Sequence, residues 1–196
     1  MSKLSNIELQ EYWIFLYLKY SNKTLVEACI DRAYLDVCRT MHGISKKNKK
    51  AEKLKELKQL MKMICDEITL NKFKSQNQFD EWHKKKCYLL KTQFKKKLEF
   101  DLNIGQAQKW INMTLKYMFV LGDSRIKNIS MNYKHFHIPI DNIILDNLSR
   151  KGINKFDLSW SMVDNYETYL NYQKSVRSSF STKIPMDVEF KSYMEN

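Results

Sequence analysis

Glycine and proline are scarce in this chain, with four and two respectively among 196 residues. All-β folds turn tightly and often, and tight turns draw on those two residue types, so the shortage argues for an all-α protein with few breaks. Cysteine carries no metal or redox signature: Cys29, Cys38, Cys65 and Cys87 show no Cys-x-x-Cys spacing. Each falls in a helical pattern, as buried thiols in a reducing compartment do. No long apolar run is present; Tyr12–Leu18 is too short to span a bilayer, and no signal-peptide pattern opens the chain. These absences lead to the expectation of a cytoplasmic protein with no membrane partner. Acidic residues are also short, 22 against 34 Lys and Arg, leaving a formal charge of +12. A charge that large attracts polyanions, nucleic acid first among them.

What remains is a chain with 43% hydrophobic and 13% aromatic residues, enough to bury a real core. We expect one domain over residues 1–196, built as a compact, two-lobed helical bundle with interleaved lobes. Periodicity and cap residues predict helices over about Asn6–Tyr20, Thr24–Met41 and Lys49–Leu70. The second carries an inward stripe of Leu25, Ala28, Cys29, Tyr34 and Val37, and the third one of Leu54, Leu57, Leu60, Met61 and Ile64. Ser75–Phe79 reads as a polar connector, with Asp80 or a neighbour capping a helix through about Lys97. A turn at Leu102–Gly105 then precedes a helix from Gln106 to about Leu121. Gly122–His137 is a long connection, which hints at a functional loop. Pro139 is expected near the first position of a helix reaching Ser149. A last main helix spans about Ser159–Ser175, and Ser178–Asn196 reads as an irregular tail holding a second Ile-Pro-x-Asp, Ile184–Asp187.

In the helix after Gly105, Ala107, Trp110, Ile111, Thr114, Met118 and Leu121 recur at three- and four-residue steps and make one buried face. Lys109, Asn112 and Lys116 fall on a second stripe about 100° around the axis. A helix in mid-chain, flanked by apolar segments, is covered on much of its circumference, which sets Lys109 and Lys116 at the edge of a cleft. Burial favours the neutral form of an amine, and a neutral amine is a nucleophile. On this pattern alone two ordinary surface lysines are the alternative.

Gly105-Gln106-Ala107-Gln108-Lys109 resembles the end of a helix-hairpin-helix, in which a glycine turn precedes a lysine four residues on. Ile138-Pro139-Ile140-Asp141 resembles the proline-aspartate that closes the helix-hairpin-helix DNA glycosylase motif. Lys109 stands 32 positions before Asp141, a separation similar to that in the archaeal 8-oxoguanine DNA glycosylases, which also carry a second lysine where Lys116 stands. The resemblance covers residues 104–145, with the hairpin-like element at about 98–145. It departs from the superfamily pattern at Ala107, where a second glycine is usual.

The resemblance implies a DNA glycosylase, with or without a lyase step, that rotates a damaged or modified base out of a duplex. Lys109 would attack the sugar C1′ and form a Schiff base, and Asp141 would take the lysine proton or stabilise developing positive charge. Asn112, Gln108 and Lys116 would meet the substrate. Trp160 would stack on the extruded base, with Asp164 accepting one of its N–H groups. Gly105, Gln106, Lys84 and Lys85 would face DNA. The partner is then duplex DNA with one flipped base, bound by a monomer with no cofactor or metal.

His135-x-His137 with Asp141 is too small a set to argue a metal site. No Walker loop and no Ser/His/Asp elbow is present, and Asp187 is a weaker rival to Asp141. The alternatives are a non-catalytic basic helical nucleic-acid-binding protein, and a defence-related protein-interaction module whose partner is acidic.

Overall fold

The computed structural model describes residues 23–44 and 50–194. The helix expected over Asn6–Tyr20 and most of the basic run from Ser45 lie outside the described residues. Within them every regular element is helical and no strand occurs. The fold is all-α.

Helix α1 spans Leu25–Cys38 and opens on a capping box. The Glu27 amide donates to Thr24 Oγ1, and the Thr24 amide donates to Glu27 Oε2 at 2.8 Å, so two amides that the helix leaves unpaired are satisfied reciprocally. Its buried stripe is Cys29, Ile30, Ala33, Tyr34 and Val37. Leu25 and Ala28 of the expected stripe are only half-buried. Helix α2, Lys50–Leu70, buries Leu57, Met61, Ile64, Cys65 and Ile68.

Helix α3 covers Gln76–Leu98 and starts earlier than the polar composition of Gln76–Gln78 suggested. Ser75, not Asp80, is its N-cap: the Ser75 hydroxyl accepts from the Gln78 amide. Asp80 lies inside the helix and is buried. The loop Glu99–Asn103 leads to α4, Ile104–Leu121. That helix begins two residues before the expected Gln106, because Asn103 takes the N-cap position and its amide donates to Gln106 Oε1 at 3.0 Å.

Helix α4 is the centre of the molecule, packed chiefly on α1 and α3 and buried from Ile104 to Lys116 on every side. Trp110 anchors it: the ring is fully buried, meets Tyr34 and Phe94 edge-on, and donates its indole N–H to Ile30 O at 3.1 Å. An indole that fills space and also satisfies its one polar atom fixes the register of α4 against α1.

The long connection after α4 contains a short 3-10 helix, Ile129–His135. An extended segment then carries Ile138–Ile140 into α5, Asn142–Ser149. Pro139 is therefore not in the first turn of α5; Asp141 is the N-cap, and its Oδ1 accepts from the Ile144 amide at 2.9 Å. Trp160–Met162 forms a separate 3-10 turn. The next helix, α6, runs Tyr166–Ser179 and begins seven residues later than expected, because Asn165 caps it by accepting from the Glu167 and Thr168 amides. The tail is not irregular either: Pro185–Met194 is helix α7, with Pro185 at its start, where a missing N–H does no harm. It packs on α5, where Asn147 donates to Ser192 O at 2.6 Å, and it buries Met186, Val188 and Glu189.

Candidate functional site

The extended segment before α5 is held by side chains that imitate a neighbouring strand. Gln173 of α6 takes Ile138, receiving its N–H at 3.1 Å and donating to its carbonyl at 2.8 Å. Gln108 of α4 takes Ile140 in the same way, at 3.3 and 3.1 Å. A primary amide carries one donor and one acceptor at peptide-like spacing, so two glutamines satisfy a stretch of buried backbone that has no sheet to join. Asn112 Nδ2 adds a third bond to Ile138 O at 3.2 Å. The next residue after this clamp is Asp141.

Asp141 divides its two oxygens. Oδ1 caps α5, and Oδ2 receives the Lys109 ammonium as an ion pair. The Lys109 side chain is 4% exposed and that of Asp141 is 22% exposed, so solvent reaches the pair from the aspartate side. The ring of Trp160 covers the amine, with its centroid 5.6 Å from Nζ. The ring's negative face adds to the hold on the cation.

Two turns along the same stripe, Lys116 meets Glu189 of α7 at 2.6 Å, and both side chains are more than nine-tenths buried. Lys116 Nζ also lies 4.9 and 5.0 Å from the ring centroids of Phe190 and Tyr193. Burial pushes the Glu189 carboxyl above its usual range, and the Lys116 charge opposes that rise. Asp141 raises it further and Lys109 lowers it, so the two ion pairs feel each other. Glu189 Oε2 is buried and finds no hydrogen-bond partner among the described residues. A cavity of about 420 Å³, lined by Ile143, Asp146, Asn147, Arg150 and Tyr193, opens between α5 and α7.

Behind the pairs lies a closed polar network. His137 Nε2 donates to Asp80 Oδ1 at 2.7 Å, and Tyr169 donates its hydroxyl proton to His137 Nδ1 at 2.8 Å. His83 Nε2 donates to Asn112 Oδ1 at 3.0 Å, and His83 Nδ1 lies 2.9 Å from the Tyr166 hydroxyl, whose proton goes to Asp80 O at 3.0 Å. The His137 ring is satisfied in the neutral form. Burial depresses the basicity of both rings; for His137 the bond to Asp80 offsets part of that, and for His83 the neighbouring His137 adds to it. Asp80 would be raised by burial alone, but His137, Gln76 and Arg177 outweigh this and hold it at about 2.

Several expected site residues take other places. Asn112 and Gln108 are fully engaged inside the protein and position Asp141; no face of either is open to a substrate. Lys116 belongs to the buried pair with Glu189. Gly105 and Gln106, expected to face DNA, are buried: the Gly105 amide donates to Val163 O at 2.8 Å, and Gln106 donates to Thr40 O at 2.8 Å. Trp160 does reach the Lys109 amine, but from the 3-10 turn. Asp164 precedes α6; it pairs with Lys91 and accepts from the Ile104 amide at 3.2 Å, which engages it at the start of α4. Lys84 pairs with Glu167 at 3.0 Å, and Lys85 is exposed on α3. His135 and His137 do not meet Asp141: His135 contacts Gln76, and His137 binds Asp80. Among the described residues no group of three or more His, Cys, Asp or Glu side chains is placed to hold a metal ion.

Glu189, Tyr193 and Gln173 were missed from sequence. The second Ile-Pro-x-Asp was the signal for two of them. Read as a helix start, as its twin before α5 invites, it puts Glu189 and Tyr193 four residues apart on one face.

Comparison of the chain with protein-family models, curated proteins and solved structures found no match. No described helix is long and apolar enough to cross a membrane.

Proposed function

We propose that this protein is a DNA glycosylase with an associated lyase step, and that Lys109 and Asp141 are its reacting pair. The observation that carries the reading is the union of the Lys109 amine with the capping carboxylate of Asp141 under the Trp160 ring. The pair joins the two motifs on which the helix-hairpin-helix resemblance rests. A net charge of +12 suits a polyanionic substrate.

In the reaction Lys109 Nζ, its proton passed to Asp141 Oδ2, attacks C1′ of an extruded nucleotide. The C1′–N bond breaks and the base leaves with its electron pair, taking up a proton. The new secondary amine opens the sugar ring to a Schiff base. Loss of a C2′ proton then expels the 3′-phosphate, and water restores the lysine. The Ile144 amide fixes Asp141 Oδ1 at 2.9 Å, which leaves Oδ2 directed at the amine to take its proton.

Borohydride trapping tests the reading. Incubation with abasic and modified-base duplexes should yield a covalent adduct that Lys109→Ala abolishes and Lys85→Ala leaves intact. No adduct across the panel, or an equal one from Lys109→Ala, overturns it. A second reading has its own support: the Lys109 side chain is buried to 4% exposure and already ion-paired, as in a structural strut. On that reading the chain is a non-catalytic nucleic-acid binder acting through exposed lysines. Lys109→Ala would then weaken binding no more than Lys85→Ala.

A further inference from the structure

Helix α3 carries charge of one sign. From Trp82 to Leu98 it holds seven lysines and no acidic residue, whereas α2, also rich in lysine, intersperses Glu52, Glu56, Asp66 and Glu67. A helix face that needs only solubility mixes the signs, because like charges in a row repel one another. The lysines on the flanks of α3 are tied down by other elements. Lys86 and Lys97 pair with Glu67 and Glu56 of α2, Lys84 with Glu167 of α6, and Lys91 with Asp164. Between these flanks Lys85, Tyr88, Thr92, Lys95 and Lys96 recur at three- and four-residue steps, and all five are exposed. Among the described residues Lys85 and Lys96 have no ion-pair partner. Lys95 reaches Asp101 at 2.7 Å with both side chains more than half exposed; such pairs are weak, and an incoming phosphate displaces them readily.

An aromatic ring stands in the middle of this stripe. Tyr88 is 43% exposed, and its ring is anchored by buried Tyr166, with the two centroids 6.4 Å apart. Lys84 Nζ lies 5.8 Å from the same Tyr166 ring, which puts a cation beside the tyrosine pair. One turn further on, Lys91, Thr92, Lys95 and Lys96 line an open groove of about 450 Å³. From Lys85 to Lys96 the helix rises about 17 Å, the length of about five stacked nucleotides. A row of cations around an exposed ring suits a ligand that offers phosphates and free base faces together. A duplex covers its base faces by stacking, so the strand that fits is unpaired.

We infer that the outer face of α3 holds a single strand of DNA, with one base stacked on Tyr88 and the phosphates running along Lys85, Lys95 and Lys96. Only the choice of DNA over RNA rests on the glycosylase reading; the track itself needs neither Lys109 nor Asp141. Thr92, small and uncharged, leaves the space between the ring and the two terminal lysines open to the sugar-phosphate chain.

Fluorescence anisotropy with the full-length protein tests this on three labelled strands: oligo-dT, an oligomer of equal length made of abasic residues, and oligo-rU. The wild type should hold oligo-dT more tightly than the abasic strand. Tyr88→Ala should weaken oligo-dT binding about tenfold and leave the abasic strand unaffected, while Tyr88→Phe keeps the wild-type affinity. The double variant Lys95→Ala/Lys96→Ala should lower the slope of log affinity against log salt by about 1.4. Thr92→Glu, which sets an acid in the middle of the stripe, should weaken both DNA strands. Equal oligo-dT binding by wild type and Tyr88→Ala, an unchanged salt slope in the lysine variant, or tighter binding of oligo-rU than of oligo-dT would each overturn the inference. Borohydride trapping on abasic duplexes separates the two proposals. An adduct without any Tyr88 dependence of strand binding sinks the track alone, and Tyr88-dependent binding with no adduct sinks the chemistry alone.

Discussion

Lys116 and Glu189 form an ion pair 2.6 Å long that is buried more deeply than the pair of Lys109 and Asp141 beside it. It ties the terminal helix α7 to the central helix, and removing one partner strands a charge where water cannot reach it. Lys116→Met should destabilise the protein by about 3–5 kcal/mol, the usual effect of leaving a buried charge uncompensated. Replacing both residues, Lys116→Met with Glu189→Leu, should recover most of that loss. Urea unfolding of the two single variants and the double variant gives the coupling directly, and additive losses would show that the pair holds nothing together.

Gly105 has a φ that any residue can adopt, so its requirement is space. A methyl group at Cα would meet the Trp160 carbonyl at 1.8 Å, and backbone on both sides has little room to yield. Gly105→Ala should lower stability by about 2–3 kcal/mol as overpacking does, and should displace the Trp160 turn from Lys109. A thermal melt within a degree of the wild type would contradict this.

The glutamine clamp on Ile138–Ile140 should control activity more than folding. Gln108→Leu leaves the N–H and C=O of Ile140 without their partners, at about 1–3 kcal/mol per buried group. It also loosens Asp141, the next residue. Borohydride adduct formation should slow in this variant by more than its fraction unfolded explains. Gln173→Leu acts one step further away and should slow the adduct less. An adduct rate equal to the wild type in Gln108→Leu would remove the clamp from the site.

Acid should unfold the protein in two stages. Both His83 and His137 hold protons less readily when folded than an ordinary histidine does, so the unfolded chain binds more protons. Stability should therefore fall as pH drops below about 6.5, by up to about 1.4 kcal/mol per pH unit for each histidine. Asp80 has its pKa depressed from 3.8 to about 2, so its contribution is present above pH 3.8 and is lost as pH falls through 2. Urea midpoints from pH 7.5 to 5 check the first stage, which should flatten in His83→Gln; a wild-type midpoint constant over that range would show that the rings can charge in place.

Composition and periodicity alone decided that the chain is helical, because the helical repeat and the lack of turn residues are local properties. They also determined many of the buried residues, Trp110 on α4 and Leu57, Met61 and Ile64 on α2 among them, although Leu54 and Leu60 of the expected α2 stripe are only half-buried. The lysine and the aspartate were legible as a spaced pair for the same reason: each sits beside a distinctive local pattern, a glycine or a proline. Boundaries failed where a short polar side chain captured a helix end, at Ser75, Asn103 and Asn165, since several neighbouring residues are equally able to cap and only packing chooses among them.

Only tertiary structure decided what each polar residue is for. Asn112, Gln108 and Lys116 share the stripe of Lys109, and nothing local distinguishes a residue that meets substrate from one that braces a neighbour. Contacts made across long stretches of chain settled that: Gln173 on Ile138, Glu189 on Lys116, Val163 over Gly105. Periodicity reports which face of a helix turns inward, but the partner waiting there is set by folding of the whole chain.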